Sequence, residues 1–353
     1  MSRFFSKKYS SLEAYTPGEQ PKDMKYIKLN TNESPFPPSP KVTEYAKAES
    51  KKLNLYSDPE SRVLTQKAAD LFGVKYENVL MTNGSDEILN FAFMAFCDED
   101  KGIAFPSISY GFYPVFAELN HIPYKEIPLK EDFSIDVEDY CNIGMNIVIA
   151  NPNAPTGLAL SAEEIEKIVT TNADSVVIID EAYVDFGAES VVELTKKYDN
   201  LLVTQTFSKS RSLAGARLGF GIGNEALIAD LNTIKYSTNP YNVNRMTSAA
   251  GLAAIEDNDY YMNNCKIIAE NREYTKTELA KLSFETLDSK ANFIFTRCDK
   301  INGGEYYLTL KKMGILVRHF TKPLISDYVR ITIGTKEQMD ALLEATKKIL
   351  EVK

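Results

Sequence analysis

Two kinds of hydrophobic pattern alternate along the middle of the chain, and each predicts a different element. Apolar residues at helical spacing predict helices at 62–72, 86–97, 161–169 and 191–198. Short runs that are apolar at nearly every position predict strands at 78–82, 102–105, 146–150, 175–180 and 201–206. Such runs are typical of strands that are covered on both faces. The pattern therefore predicts an α/β fold with a mainly parallel central sheet flanked by helices.

The pattern is looser towards both ends of the chain. The first forty residues are irregular and rich in proline near 35–40, which favours extended backbone over regular helix. Beyond residue 234 the pattern predicts helices and weaker strands, followed by an amphipathic helix at 336–351. The predicted helices are 243–256 and 260–282, and the predicted strands are 291–297, 314–320 and 328–334. This C-terminal part is interpreted as a second, smaller α+β domain.

Composition excludes several classes of function. The 353 residues carry a net charge of −9, so a broad nucleic-acid surface is not expected. The longest apolar stretch, 88–97, is too short to cross a bilayer, and no secretory signal is visible. The two histidines, His121 and His319, form no metal-ligand spacing, so no metal is expected. The four cysteines are scattered, which predicts a reducing, cytoplasmic location.

Polar residues follow several of the predicted strands, where parallel sheets bind their ligands. Lys209 comes just after the strand at 201–206, with Thr206, Ser208 and Arg217 close in sequence. Two hydroxyls and a guanidinium suit a phosphate dianion, and the free N–H groups of a helix beginning near residue 85 offer a second anion site.

Asp180 ends an otherwise apolar strand, where an unpaired carboxylate would be costly. A pyridinium nitrogen would be a suitable partner for it. A lysine for a Schiff base, an aspartate for a ring nitrogen and two phosphate cradles together indicate pyridoxal 5′-phosphate. A nicotinamide-dependent dehydrogenase is the other α/β candidate, but the glycine spacing of a dinucleotide loop is absent from 219–224.

Through these residues and the motifs around them, the sequence resembles the fold-type I, pyridoxal-phosphate-dependent aminotransferases of class I/II. Within them it is most similar to the branch that contains histidinol-phosphate aminotransferase. The resemblance covers essentially the whole chain and rests on the order and spacing of nine motifs. They are LNTNESP (29–35), LYSDP (55–59), TNGSDE (82–87), PSISYGFY (106–113), NPNAPTG (151–157), IDEAYVDF (179–186), SKSRSLAGARLG (208–219), KANFIF (290–295) and VRITIG (329–334).

The resemblance implies a role for each matching cofactor residue. Lys209 would form the Schiff base and carry the proton, Asp180 would pair with the pyridine nitrogen, and Tyr183 would donate to the ring oxygen O3′. Tyr110 would stack on the ring. The phosphate would be held by Ser85, Asp86, Ser208 and Arg217, with Thr206 as a further member. Tyr56 would reach the phosphate of the other subunit, which implies a homodimer with shared active sites.

One position departs from the family pattern. Where the family has an asparagine that also binds O3′, this chain has Ala154, preceded by Asn153. We therefore expect Tyr183 to hold O3′ alone, or with help from a shifted Asn153 or water.

The resemblance also implies a substrate and a domain layout. Arg330 would bind the substrate carboxylate or phosphate, together with Arg318, Tyr15 and Asn32. The expected reaction converts L-histidinol phosphate and 2-oxoglutarate to imidazole acetol phosphate and L-glutamate. Open alternatives are an aromatic or other amino-acid aminotransferase, threonine-phosphate decarboxylase, and a catalytically inactive binding module. The expected division is an arm at 1–35 that contributes to the small domain, a large cofactor-binding domain at 36–235 and a small domain at 236–353.

Overall fold

The structure is a computed structural model that describes residues 2–10 and 12–351. Its strands, in chain order, are β1 (Ile27–Lys28), β2 (Val79–Thr82), β3 (Ile103–Pro106), β4 (Tyr124–Ile127), β5 (Asn146–Ala150), β6 (Val177–Asp180), β7 (Leu201–Thr206), β8 (Gly219–Gly223), β9 (Phe284–Thr286), β10 (Phe293–Cys298), β11 (Ile315–Leu316), β12 (Arg318–His319) and β13 (Val329–Thr332). Its α-helices are α1 (Pro40–Ser50), α2 (Arg62–Phe72), α3 (Ser85–Phe96), α4 (Phe112–Asn120), α5 (Ala162–Thr171), α6 (Glu225–Thr238), α7 (Arg245–Glu256), α8 (Asn258–Lys281), α9 (Gly303–Lys312) and α10 (Lys336–Glu351).

A seven-stranded sheet forms the centre of the molecule, in the order β2-β8-β7-β6-β5-β3-β4. Neighbours from β7 to β4 pair in parallel, whereas β8 runs antiparallel to both β2 and β7. The mainly parallel sheet and the α/β class predicted from the sequence are confirmed. Four strands buried at every position, β2, β5, β6 and β7, lie at or within two residues of their predicted bounds.

Both faces of this sheet are covered, which explains the continuous apolar runs. In β5, Ile147 and Ile149 point into one hydrophobic core, while Val148 and Ala150 point into the core on the opposite face. Adjacent residues of a strand face opposite sides, so a strand between two cores needs apolar residues throughout.

A second, antiparallel sheet in the order β12-β13-β10-β9 lies in the C-terminal part of the chain. The predicted strand at 314–320 is divided into β11 and β12, and β11 pairs in parallel with β1 of the N-terminal arm. This pairing ties the arm to the C-terminal part. The domain boundaries at 35 and 235 stay a prediction. Helix α7 follows the expected boundary at 235, yet its buried alanines pack into the core of the large sheet.

Three local expectations from the sequence differ from the structure. The proline-rich segment ends in α1, which begins at Pro40 because proline is tolerated in the first turn of a helix. The stretch predicted as a helix at 191–198 contains a short 3₁₀ helix, Val192–Lys196, instead. Strands β4 and β9 and helices α4, α6 and α9 were not predicted at all. Among the described helices, no segment is both long and apolar enough to cross a membrane.

Candidate active site

A cavity opens at the carboxyl edge of the central sheet, where the ends of β5, β6 and β7 meet the first turn of α3. Parallel strands present their carboxyl ends at one edge, so residues far apart in sequence converge there. The lining residues are Ser85, Asp86, Tyr110, Ala150, Ala154, Asp180, Ala182, Tyr183, Thr206, Ser208, Lys209 and Arg217. Nine of these were singled out from the sequence as cofactor-binding residues, and the structure brings them together.

The end of the cavity that is suited to an anion is built around Arg217. Its guanidinium donates from Nη2 to Asp86 Oδ2 at 3.1 Å and from Nη1 to the hydroxyl of Ser208 at 3.3 Å. The other oxygen of Asp86 accepts from the hydroxyl of Tyr110 at 2.7 Å. Ser85 and Asp86 begin α3, whose first N–H groups have no partner within the helix.

Two glycines allow these groups to come close. A Cβ on Gly84 would lie 2.6 Å from Nη2 of Arg217, and Gly84 also has a φ of +78° that favours glycine. A Cβ on Gly219 would lie 2.4 Å from the backbone nitrogen of Ser85. The local sequence therefore keeps side chains out of the space that an anion would need.

Asp180 lies at the end of β6 and is 4% exposed. Its carboxylate accepts from the hydroxyl of Tyr113 at 3.0 Å, from the backbone N–H of Ala182 at 3.2 Å and from Thr204 at 3.4 Å. Burial raises the pKa of Asp180 to about 6, since desolvation outweighs these hydrogen bonds. No lysine or arginine among residues 2–10 and 12–351 forms an ion pair with it. A cationic group in the cavity would supply the missing charge.

Lys209 and Tyr183 lie at the other side of the cavity. The Nζ atom of Lys209 donates to the backbone oxygen of Thr31 at 3.2 Å and lies 5.7 Å from the centre of the Tyr183 ring. The hydroxyl of Tyr183 accepts from Nδ2 of Asn32 at 3.0 Å. The N-terminal arm therefore contacts two lining residues of the cavity through Thr31 and Asn32.

Two arginines lie near this cavity on neighbouring strands of the second sheet. Arg318 and Arg330 are directly opposite each other in the β12–β13 ladder. Nη2 of Arg330 donates to the backbone oxygen of Asn30 at 3.0 Å, whereas its buried Nε has no partner in the described chain. Burial lowers the pKa of Arg330, because desolvation disfavours its charged form.

Tyr15 covers the same region from the arm. Its ring stacks on Phe112 with centroids 4.2 Å apart and lies 6.4 Å from the ring of Tyr110. Both Arg318 and Arg330 act electrostatically on its hydroxyl. The four residues expected to bind substrate, Tyr15, Asn32, Arg318 and Arg330, are thus all found around one opening.

Two expected cofactor residues are not part of this cavity. Asn153 is turned away, because its amide donates to Ile108 and Thr156 and its oxygen accepts from Ser109. The expectation that a shifted Asn153 compensates for Ala154 therefore has no support in this geometry. Tyr56 is 79% exposed and stacks on Tyr241, with centroids 4.6 Å apart.

Sequence reasoning missed two side chains that hold Asp180. Tyr113 and Thr204 both donate to its carboxylate. Tyr113 belongs to the PSISYGFY motif, which was noted only as part of the resemblance. A fully buried tyrosine needs a partner for its hydroxyl, but the sequence alone could not name that partner.

Comparison with known proteins identifies the class of protein. The family model for aminotransferase class I and II matches residues 24–345, so the chain belongs to this family. A histidinol-phosphate aminotransferase from Brachyspira hyodysenteriae is 53% identical over 99% of this chain and 100% of its own length.

Solved structures agree on the fold. The histidinol-phosphate aminotransferase of Clostridium acetobutylicum aligns with a TM-score of 0.85 at 24% identity, covering 93% of this chain and 100% of that chain. The enzyme of the same name from Sinorhizobium meliloti, solved in complex with pyridoxal 5′-phosphate, aligns with a TM-score of 0.83 at 22% identity, over 93% of this chain and 92% of that chain. The expected fold type and enzyme class are confirmed, and the chain is a pyridoxal-phosphate-dependent aminotransferase.

The residues of the cavity fit this cofactor. The buried carboxylate of Asp180 has no cationic partner among the described residues, and a protonated ring nitrogen would supply one. Arg217, Ser208 and the first turn of α3 surround the space that Gly84 and Gly219 keep free, and a phosphate dianion suits those donors. Lys209 is the one lysine among the residues that line this cavity.

Proposed function

We propose that the chain transfers the amino group of L-histidinol phosphate to 2-oxoglutarate, which yields imidazole acetol phosphate and L-glutamate. The names of its relatives support this substrate, including the 53% identical protein from Brachyspira hyodysenteriae and a 47% identical one from Clostridium botulinum. The observation that carries the proposal is the pair Arg318 and Arg330 beside the cavity.

These arginines are suited to anionic substrates because neither forms an ion pair within the described ranges. Nε of Arg330 is also buried without a partner there. Unpaired buried donors are costly, so a ligand that pairs with them is strongly favoured. A guanidinium fork matches both the phosphate of the amino donor and the carboxylate of 2-oxoglutarate. One site can therefore serve both half-reactions.

The cofactor supplies an electron sink that makes the Cα–H bond of the amino donor acidic. We propose that Asp180 keeps its ring nitrogen protonated and that Tyr183 donates to its ring oxygen. Tyr110 covers one face of the ring. Arg217, Ser208, Ser85, Asp86 and Thr206 hold the phosphate end, and these contacts fix the cofactor's orientation.

Lys209 is the base in this proposal. Lys209 lines the cavity, and its Nζ would accept the proton from Cα of the amino donor. The same nitrogen would then deliver this proton to the cofactor. Thr31, whose carbonyl accepts from Nζ, keeps the amine near the reacting atoms. Tyr15 limits access of water from the arm side, because its ring packs on Phe112 at the opening.

We also propose a homodimer in which Tyr56 completes the partner's site. Tyr56 is close in sequence to three other exposed apolar residues, Leu53, Leu55 and Val63, at 60%, 57% and 64% exposure. Exposed apolar side chains concentrated in one segment suit a contact with another protein. The surrounding loop is firmly anchored, since Arg245 donates to the carbonyl of Tyr56 at 2.9 Å and buried Lys235 donates to that of Pro59 at 2.5 Å.

A cytoplasmic location is part of the same proposal. All four cysteines are free thiols. Burial raises the pKa of Cys97 to about 11 and that of Cys265 to about 12, which makes both thiols inert. Such cysteines suit a reducing compartment.

Single-turnover absorption spectroscopy of the cofactor-loaded protein tests the substrate. L-histidinol phosphate, L-histidinol, phenylalanine and O-phosphothreonine are each mixed with the enzyme, and the rate of the spectral change is recorded. We expect the highest rate constant per concentration for L-histidinol phosphate. Preference for phenylalanine would favour an aromatic aminotransferase, and loss of CO₂ from O-phosphothreonine would favour a decarboxylase.

A further inference from the structure

Ala154 leaves one side of the cofactor cavity without a hydrogen-bond donor. It packs in a hydrophobic cluster with Ala291, Phe293 and Tyr183, and of these side chains Tyr183 carries the one polar group. The preceding residue, Asn153, does not replace the missing donor, because both ends of its amide are bound elsewhere. Whatever holds the ring oxygen of the cofactor on this side must therefore involve Tyr183.

The hydroxyl of Tyr183 has a rotatable proton, and its direction decides whether it can donate into the cavity. Nδ2 of Asn32 donates to this oxygen at 3.0 Å. A hydroxyl that accepts from an amide N–H must direct its own proton to another acceptor. The tyrosine ring itself is held edge-on against Phe293, with centroids 5.1 Å apart at 89°.

Asn32 is fixed by hydrogen bonds at each of its other polar atoms. Its backbone N–H donates to Oγ1 of Thr332 at 3.0 Å, and that hydroxyl donates back to Oδ1 of Asn32 at 3.0 Å. Its carbonyl accepts from Nδ2 of Asn292 at 3.0 Å. The Thr332 proton has no other acceptor in the described chain, so Oδ1 must face Thr332 and Nδ2 must face Tyr183.

We propose that Asn32 is a positioning residue that compensates for Ala154. By donating to the oxygen of Tyr183, it directs the tyrosine proton into the cavity, onto the ring oxygen of the cofactor. The proposal rests on the proposed cofactor contacts, and it gives Asn32 a role other than the direct substrate binding expected from the sequence. Thr332 and Asn292 support it by fixing the asparagine.

The pKa of the bound chromophore, measured by absorption as a function of pH, reports this donor directly. A donor to an anionic oxygen favours the deprotonated form, so losing it raises the pKa. We expect Asn32→Gly to raise the chromophore pKa by about 1 unit, the scale of a hydrogen bond to a charged group. Glycine is chosen because residue 32 has a φ of +55°. Thr332→Val, which preserves shape, should shift it in the same direction.

Three comparisons separate positioning from a general structural effect. In a Tyr183→Phe background, Asn32→Gly should cause no further shift. In an Ala154→Asn background, the shift caused by Asn32→Gly should shrink. The control Asn30→Ala removes a neighbouring buried amide that bonds to the Glu19 carbonyl, and it should leave the chromophore pKa unchanged.

The dissociation constant of pyridoxal 5′-phosphate provides a second readout, and we expect Asn32→Gly to raise it. An unchanged chromophore pKa in Asn32→Gly, or an equal shift with and without Tyr183, would overturn the proposal. A wild-type protein that binds pyridoxal 5′-phosphate but rejects L-histidinol phosphate would contradict the proposed substrate only. A wild-type protein that does not bind pyridoxal 5′-phosphate would overturn both.

Discussion

Asp180 shows how a single residue balances stability against function. The folded chain raises its pKa to about 6, so the carboxyl group keeps its proton in a pH range where the unfolded chain releases it. The contribution of Asp180 to the free energy of unfolding of the cofactor-free protein should therefore fall as pH rises from about 4 to about 6, then stay level. Binding of a protonated ring nitrogen removes this cost.

Asp180→Asn should therefore stabilise the cofactor-free protein while weakening cofactor binding. Above pH 6 we expect a gain of up to about 3 kcal/mol in unfolding free energy, and no gain near pH 4. Urea denaturation at both pH values measures this, and fluorescence titration measures the cofactor affinity.

The matched control is Glu181→Gln. Burial raises the pKa of Glu181 to about 7, but its carboxylate is bonded to Ser190, Val191 and Gln205 outside the cavity. This change should leave cofactor affinity intact. If Asp180→Asn destabilises the cofactor-free protein equally at both pH values, burial of the ionised Asp180 carboxylate does not lower the free energy of unfolding.

Lys209 should be the residue that carries the cofactor. Its Nζ is the one lysine nitrogen among the residues lining the cavity. Borohydride reduction of the loaded protein, followed by peptide mapping, should place the label on Lys209. A label on any other lysine is incompatible with the assignment.

The sequence predicted the individual site residues unevenly. Lys209, Asp180 and Arg217 could be recognised because a charged residue beside a buried strand is costly without a purpose. The Asn32–Tyr183 bond could not be foreseen, since it joins residues 151 positions apart whose side chains meet only in the folded chain. Nor did the sequence show that Asn153 would turn away from the cavity.

At the scale of elements, the carboxylate of Glu19 adds to the contacts that hold the N-terminal arm in place. Glu19 accepts hydrogen bonds from the hydroxyl of Tyr307 and from Nζ of Lys311, both on α9. The carbonyl of Glu19 also accepts from Asn30 at 2.9 Å. The arm thereby keeps Tyr15 over the opening of the cavity.

Glu19→Ala should raise KM for the amino donor about fivefold with a smaller change in kcat, because a partly exposed ion pair contributes at most about 1 kcal/mol. The arm would spend less time in the position that closes the site, but the chemistry would be unaltered. Steady-state kinetics measure both constants. Glu13→Ala, at an exposed carboxylate of the same arm, is the control. Equal effects of the two changes would show that the contacts of Glu19 with α9 do not position Tyr15.

Elements were predicted well where burial dictates the pattern and poorly where it does not. The bounds of β5 and β7 match because every residue is buried between two cores. Strand β4 was missed because it is an edge strand whose first three residues, Tyr124, Lys125 and Glu126, are exposed. An exposed edge strand such as β4 lacks the apolar run by which a buried strand is recognised.

At the scale of the whole molecule, the proposed dimer makes each active site depend on two chains. Mixing Tyr56→Phe with Lys209→Ala should restore activity, because a hybrid dimer has one site with both native residues. We expect up to a quarter of wild-type activity if subunits exchange at random, since roughly half the dimers would be hybrids with one intact site. Sedimentation with one labelled variant confirms exchange. Complete exchange without any recovery would exclude a shared site.

We propose that this aminotransferase uses Arg318 and Arg330 to recognise a phosphorylated amino donor. The most direct test is the ratio of kcat/KM for L-histidinol phosphate to that for L-histidinol, in the wild type and in Arg318→Ala. A hydrogen bond to a charged group contributes about 1.5–3 kcal/mol, so the ratio should fall about 10- to 100-fold in the variant. An equal loss for both donors would contradict the account and would make Arg318 a structural residue.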